Sequence, residues 1–411
     1  MPLKIILREL IAIGSSRLFI VLFPLLILPI VSRRLGVDGF GILVFFMNLS
    51  MWLSLFIQYG FELTGIRHAV LYEKKRWCEQ GSVIWAAQAL LSAAALALIA
   101  ALFPFISIIH EHAYIALLSW ISAVLQAVVP RWYFRAAQRM GLMAALESGP
   151  KILTVPLLYW AMKLKPDPAL AYTILVSGYA FTLIPAAWIC LQAIGGLGRV
   201  QWRSIVVRLR VDFPIFFSQV AASLYYATNV LLLGLFVTPA NVGFFGAAER
   251  IVRSIVTVNA SLPQTLYPIT VKLFDNDHKA ANRTVWVSAA ILGLVGAVLA
   301  IAVYVLAPDV IMILLGRGFE PVVKITRILA LTIPLFGVGH VVAVQGLVAL
   351  NEGFYYAVVT TFGGVLNVAL AFILVPRFGI DGMAAGLVIS VFAITIGFCV
   401  MYFVRSGHRR R

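Results

Sequence analysis

Long apolar runs recur along almost the whole chain, and they limit its fold more than any other feature. A helix needs about 20 apolar residues to cross the hydrocarbon core of a bilayer. Twelve segments meet that need, at approximately 11–32, 40–62, 82–109, 113–134, 142–162, 169–194, 212–237, 241–266, 284–307, 324–350, 355–376 and 382–404. Backbone polar groups inside a bilayer must be satisfied within the segment, so such runs are helices. The expected fold class is an all-α integral membrane protein of about 12 transmembrane helices. Hydrophobic residues make up 62% of the 411 and charged ones 12%. A soluble domain carries about a quarter charged residues, and a disordered chain is never this apolar. The first run lacks a small-residue cleavage site after a short apolar core, so it reads as a retained helix and not as a signal peptide.

The formal net charge is +16. In a soluble chain this would suggest nucleic acid. Here membrane topology accounts for it, because Lys and Arg collect in cytoplasmic loops, and no nucleic-acid partner is expected. With the N-terminus inside, the inner segments hold 21 basic residues and the outer segments 8. Both termini are therefore expected in the cytoplasm. Cys78, Cys190 and Cys399 form no disulfide framework, and there is no CxxC or His/Cys cluster for zinc. His110-Glu111-His112 has the wrong spacing for one helix face. GxxxxGK[ST], GxSxG and HExxH are all absent. The expectation is a protein without cofactor or metal, and not an enzyme.

Turn sequences recur. LGVDGFG at 35–41 precedes the second span and ANVGFFG at 240–246 the eighth; KPDPALA at 165–171 precedes the sixth and FGIDGMA at 378–384 the twelfth. Both offsets equal six helices, which suggests two six-helix lobes inserted with the same orientation. The expected layout is 1–198 for the first lobe, 199–211 for a basic cytoplasmic linker and 212–411 for the second lobe.

Charges inside apolar spans are expensive, at roughly 2.5–3.5 kcal/mol for a central Arg on insertion scales. Arg250 and Arg253 lie about ten residues into the eighth span, with Glu249 adjacent. They either meet a ligand or form an internal pair with Glu249. Arg17 is deep if its helix begins near Ile5, and within reach of the inner surface if it begins at Ile11. Span seven carries Ser218, Gln219, Tyr225, Tyr226 and Asn229, and span two carries Asn48, Tyr59 and Glu62; His340 and Asn367 lie in spans ten and eleven. Polarity is densest in spans one, two, seven and eight, which suggests a wet cavity between the halves. A cationic cavity favours an anionic substrate, and the planar fork of Arg matches phosphate. Arg17, Arg250, Arg253, Gln219, Tyr226, Asn229 and Asn48 are the candidate substrate contacts, with Glu62 and Glu249 as candidates for ion coupling or gating.

The segment 19–45, with its run FPLLILPIVSRRLGVDGFGILVF, resembles the opening of the polysaccharide-transporter family. These are the Wzx-type O-antigen flippases of the multidrug/oligosaccharidyl-lipid/polysaccharide (MOP) superfamily. Pro29, Arg34-Leu35-Gly36 and Phe40-Gly41 carry the resemblance. It implies a MATE-like pair of lobes that moves undecaprenyl-diphosphate-linked oligosaccharide to the periplasmic leaflet of a bacterial inner membrane by alternating access. It further implies coupling to H+ or Na+ and work beside a polysaccharide polymerase and chain-length machinery. Competing readings are a lipid II flippase or multidrug antiporter of the same fold, or a membrane polymerase or glycosyltransferase.

Overall fold

The computed structural model describes residues 3–71, 77–225 and 227–408; the side chains of 3–22, 24, 70–71, 260–262, 264–265, 268 and 407–408 lie outside the description. Among the described residues all regular structure is helical. The chain divides into two compact units, Met1–Val220 and Ala221–Arg411.

The first unit holds α1 (Leu3–Gln58), α2 (Phe61–Leu71), α3 (Trp77–Leu102), α4 (Ser107–Glu111), α5 (Ala113–Ala127), α6 (Arg131–Ala136), α7 (Met140–Leu164), α8 (Pro168–Ile194) and most of α9 (Trp202–Ser223). One core gathers Phe61, Trp77, Ile84, Trp132, Tyr133, Phe134 and Cys190. The second unit holds α10 (Asn229–Leu233), α11 (Pro239–Asn276), α12 (His278–Leu314), α13 (Pro321–Ala330), α14 (Thr332–Val341), a π-helical turn (Val342–Val348) and α15 (Gly353–His408). Its core includes Phe274, Val285, Leu292, Val341, Phe398 and Tyr402. Phe181, Ile184 and Trp188 on α8 are exposed, as are Leu294, Ile301 and Val305 on α12. Large apolar side chains that face outward along whole helices suit lipid rather than water.

Seven described stretches are long and apolar enough to cross a bilayer: Leu25–Ala69, Trp77–Leu102, Ala113–Ala136, Pro168–Ile194, His278–Leu314, Pro321–Val348 and Gly353–Ser406. The first and last, of 45 and 54 residues, exceed one crossing of about 20 residues. α15 doubles back on itself. A Cβ on Gly382 would overlap the Leu374 carbonyl, and one on Gly386 would meet Leu370 at 3.4 Å. Its bend is at Gly379, with φ +57°, and α1 has the same kind of break at Gly36, with φ +68°. Helices α7, α9 and α11 are not among the seven. Each carries charges that lower its apolarity: Glu147 and Lys151; Arg203, Arg208, Arg210 and Asp212; Glu249, Arg250 and Arg253.

The turn expectation needs correcting. LGVDGFG and FGIDGMA share a left-handed glycine, whereas ANVGFFG is no turn but the opening of α11, entered through Thr238-Pro239. Its local counterpart is Asp167-Pro168, where the Asp167 carboxylate accepts from Ala169 N at 2.8 Å. Proline at the first helical position and a positive-φ glycine are different solutions to the same corner. By turn geometry the second span pairs with the twelfth, and the sixth with the eighth.

Candidate functional site

The seventh expected span does not continue from 212 to 237. Helix α9 ends at Ser223, and α10 begins at Asn229. Ser218, Tyr225 and Asn229 of that span therefore do not share one continuous helix. A break at this point exposes carbonyls that a bilayer cannot hydrate, and irregular backbone there must be satisfied by protein. Two asparagines do so. Asn229 Nδ2 donates to Tyr225 O at 3.3 Å, and Asn367 Nδ2 donates to Leu224 O at 3.4 Å and to Asn229 Oδ1 at 2.7 Å. Both asparagines are fully buried.

The break connects to the charges of α11. Glu249 Oε1 accepts from Asn229 Nδ2 at 3.4 Å and from Arg253 Nη2 at 2.5 Å. Glu249 is buried, and the Arg253 side chain is about a third exposed. Helix α11 rises about 1.5 Å per residue, which places this pair well inside it. One chain of hydrogen bonds thus runs Asn367–Asn229–Glu249–Arg253 within the second unit.

The structure brings together four of the residues singled out by sequence: Asn229, Glu249, Arg253 and Asn367. Arg250 is half-buried on the same helix. Asn48 lies in the first unit, with Nδ2 donating to Val44 O at 2.9 Å, and Gln219 is half-buried on α9 in that unit. Glu62 opens α2 and accepts from Arg135 Nη2 at 2.8 Å and from Gln58 Nε2 at 3.2 Å. Each carboxylate expected to couple ions thus accepts from an arginine. Tyr226 and the Arg17 side chain lie outside the described residues.

Sequence reasoning missed two further clusters, both in the first unit. The first is buried. Arg208 Nε donates to Asp212 Oδ2 at 2.6 Å, Arg208 Nη2 to Thr64 Oγ1 at 2.6 Å, and Thr64 Oγ1 to the same carboxylate oxygen at 2.9 Å. Arg208 and Asp212 stand one turn apart, a spacing visible in the sequence. The expected layout put Arg208 in the basic linker and Asp212 at the start of the second lobe, whereas both lie on α9 in the first unit. The second cluster lies on α7. Arg131 Nε donates to Glu147 Oε1 at 2.7 Å, and one turn after Glu147 the Lys151 ammonium sits over the rings of Phe23 and Tyr179. Lys151 lies in the middle of a helix that packs between α1 and α8.

Comparison with known proteins accords with this architecture. The family model described as "Polysaccharide biosynthesis protein" matches residues 6–274. A protein of Escherichia coli (strain K12) named "Putative O-antigen transporter" is 26% identical over 94% of this chain and 93% of its own length. A protein of the same name from Shigella dysenteriae is 20% identical over 91% and 94%. Among solved structures, the fold is similar to "Lipid II flippase MurJ, inward closed conformation", with a TM-score of 0.76 and 15% identity over 96% of this chain and 87% of that one. It is also similar to an inward-facing MATE-family transporter of the MOP superfamily, with a TM-score of 0.69 and 16% identity over 96% and 95%. The chain belongs to the polysaccharide biosynthesis protein family, and its long apolar helices are those of a multi-pass membrane protein.

Proposed function

We propose that this protein moves an undecaprenyl-diphosphate-linked oligosaccharide, an O-antigen or related repeat unit, from the cytoplasmic to the periplasmic leaflet of a bacterial inner membrane. Transport follows alternating access between two six-helix lobes, 1–198 and 212–411, joined by the 199–211 linker. The chain crosses the bilayer twelve times with both termini in the cytoplasm. A proton or sodium gradient drives it, and a polymerase and chain-length machinery receive its product.

The observation that carries this reading is the buried hydrogen-bond chain Asn367–Asn229–Glu249–Arg253 at a broken helix. Broken helices with satisfied polar termini mark binding sites in membrane carriers. Arg253 and Arg250 offer guanidinium forks to phosphate, and Glu249 is the group that an incoming anion or a coupling cation would displace or neutralise. The names of the two bacterial relatives support the cargo class.

The test is the position of lipid-linked sugar when the protein is removed from its host. Diphosphate-linked repeat units trapped on the cytoplasmic leaflet, with surface polysaccharide lost, are the expected result. Single repeat units that reach the periplasm unpolymerised would transfer the missing step to a polymerase. Unchanged polysaccharide would move the cargo to lipid II or to drugs. Arg253→Ala and Glu249→Ala should reproduce the cytoplasmic accumulation; normal export in both would remove this network from the mechanism.

A further inference from the structure

Helix α7 is 25 residues long and carries Pro150 and Pro156 inside it. At about 1.5 Å per residue, Lys151 stands roughly 16 Å from its start. A proline removes the hydrogen bond to the carbonyl four residues before it. For Pro150 that carbonyl is Leu146 O, and Thr182 Oγ1 of α8 donates to it at 3.1 Å. The hydroxyl of Thr182, shared with Gly178 O of its own helix at 3.0 Å, thus ties α8 to the turn of α7 just before Lys151.

Among the described residues no ion pair answers its charge. The Lys151 Nζ atom is 5.9 Å from the centre of the Phe23 ring and 6.0 Å from that of Tyr179. Ring faces attract a cation but do not use up its three N–H donors. None of the ion pairs among the described residues includes Lys151. The nearest acid in sequence, Glu147, is taken by Arg131 at 2.7 Å. Glu62 is taken by Arg135 and Asp212 by Arg208. Among the described residues, Arg131 and Lys151 therefore share one carboxylate, one positive charge in excess.

An unbalanced ammonium in a helix of this kind is costly and marks a ligand site. The donor set selects the ligand. A compact charge with three free N–H groups suits a multi-oxygen anion, and apolar rings on two sides shed the water that would compete. We propose that Lys151, seated between Phe23 and Tyr179, binds phosphate oxygens of a lipid-borne diphosphate. This rests on the flippase reading and adds to it the residue of the first unit that holds the anionic group. Lys151 is the binding residue; Phe23 and Tyr179 are positioning residues.

The experiment is a titration of undecaprenyl diphosphate, without sugar, into the full-length protein in nanodiscs of uncharged phosphatidylcholine. A charge-assisted contact of this kind predicts about tenfold or greater weakening in Lys151→Gln. Lys151→Arg keeps the charge but not the compact ammonium, so it should bind more tightly than Lys151→Gln and more weakly than the native protein. Loss of an unbalanced charge should leave the melting temperature of Lys151→Gln at or above that of the native protein, whereas a packing lysine would lower it. If the glutamine variant does not fold, Lys151→Met, which keeps an apolar stem over the rings, replaces it in the same titration. Equal affinity of native and neutral variants overturns the proposal and leaves the flippase reading intact. A native protein that does not bind the diphosphate lipid overturns both. Repetition in phosphatidylglycerol nanodiscs separates the lipid sources. Affinity retained there supports a cargo site; competition that disappears in Lys151→Gln shows a general anionic-lipid site and overturns the assignment.

Discussion

Asp212 offers the sharpest test of how α9 is held. Its carboxylate is fully buried, and Arg208, one turn away, is nearly so. The single oxygen Oδ2 receives Arg208 Nε at 2.6 Å and Thr64 Oγ1 at 2.9 Å, while Thr64 Oγ1 also receives Arg208 Nη2. Asp212→Asn removes the charge and strands a buried guanidinium, at a cost of about 3–5 kcal/mol. Thr64→Val keeps the ion pair but deletes the hydroxyl that bridges it, at about 1.5–3 kcal/mol. The double variant Arg208→Met with Asp212→Leu removes both charges together and recovers most of the loss, since neither charge then needs burying. The expected order of stability places the double variant near the native protein, Thr64→Val below it and Asp212→Asn lowest. Unfolding by SDS titration in mixed micelles, followed by circular dichroism, measures it. Asp212→Asn within about 0.5 kcal/mol of native, or a double variant as unstable as the single, would refute the reasoning. The pair does not act alone. Tyr59 stacks on Phe216 with centroids 4.3 Å apart, and a Cβ on Gly60 would overlap Ile215 at 2.8 Å, so α9 is pressed onto the corner between α1 and α2 at several points.

Other perturbations follow the same logic. Asn367→Leu deletes the donors to Leu224 O and Asn229 Oδ1, and should cost about 1–3 kcal/mol, with faster amide exchange confined to 224–229. Gly36→Ala and Gly379→Ala place a Cβ at φ +68° and +57° with open space around it, so each should cost about 1–2 kcal/mol by backbone strain alone, and the two costs should add. Gly363→Ala is different, because its Cβ would overlap Ile394, and it should lower the melting temperature more than either. Glu320 titrates below the usual carboxylate range, since its own backbone N–H and that of Gly318 stabilise the ionised form. A depressed folded value means the contribution is present at neutral pH and lost as pH falls through it. Amide exchange at Gly318, corrected for the intrinsic pH dependence, should therefore rise only on the acid side, and a rise on the alkaline side would contradict the assignment.

Much of the fold could be read from hydrophobic runs, because a run of apolar residues reports its solvent directly. What could not be read was where runs break or bend. The helix through 212–237 reads as continuous by periodicity, yet it stops at Ser223, since the compensation comes from Asn367, 138 residues beyond Asn229. No local pattern signals a partner at that distance. Glycine turns were visible as composition, but among the glycines of the recurring turn sequences Gly243 and Gly246 lie within α11 and only Gly36 and Gly379 take the left-handed conformation. Composition does not separate a helical glycine from a turning one. The charges divide in the same way. Glu249 and Arg253 carry their i, i+4 pairing on their face, whereas nothing near Lys151 in the sequence marks Phe23 and Tyr179 as its neighbours.

The paired arginines bear on how a carrier of anions can release its cargo. A guanidinium with no partner would hold a diphosphate too tightly to let it go and would be costly to bury while empty. Arg253 is instead satisfied by Glu249, and Glu249 by Asn229 as well. On the proposed function, a cargo phosphate exchanges one anionic partner of Arg253 for another, so the net change is far smaller than the full strength of either contact. The displaced carboxylate must then take up a proton or sodium ion, or keep its asparagine donor, because a bare carboxylate at that depth is not tolerated. That requirement links cargo entry to cation uptake through one residue. It predicts that Glu249→Gln, which supplies no anion to compete, binds undecaprenyl diphosphate more tightly than the native protein, by about tenfold, while exporting repeat units more slowly. Tighter binding together with slower export separates a competing partner from a merely structural one, whose loss would weaken both. Weaker binding by Glu249→Gln would place the carboxylate in the fold and not in the transport cycle.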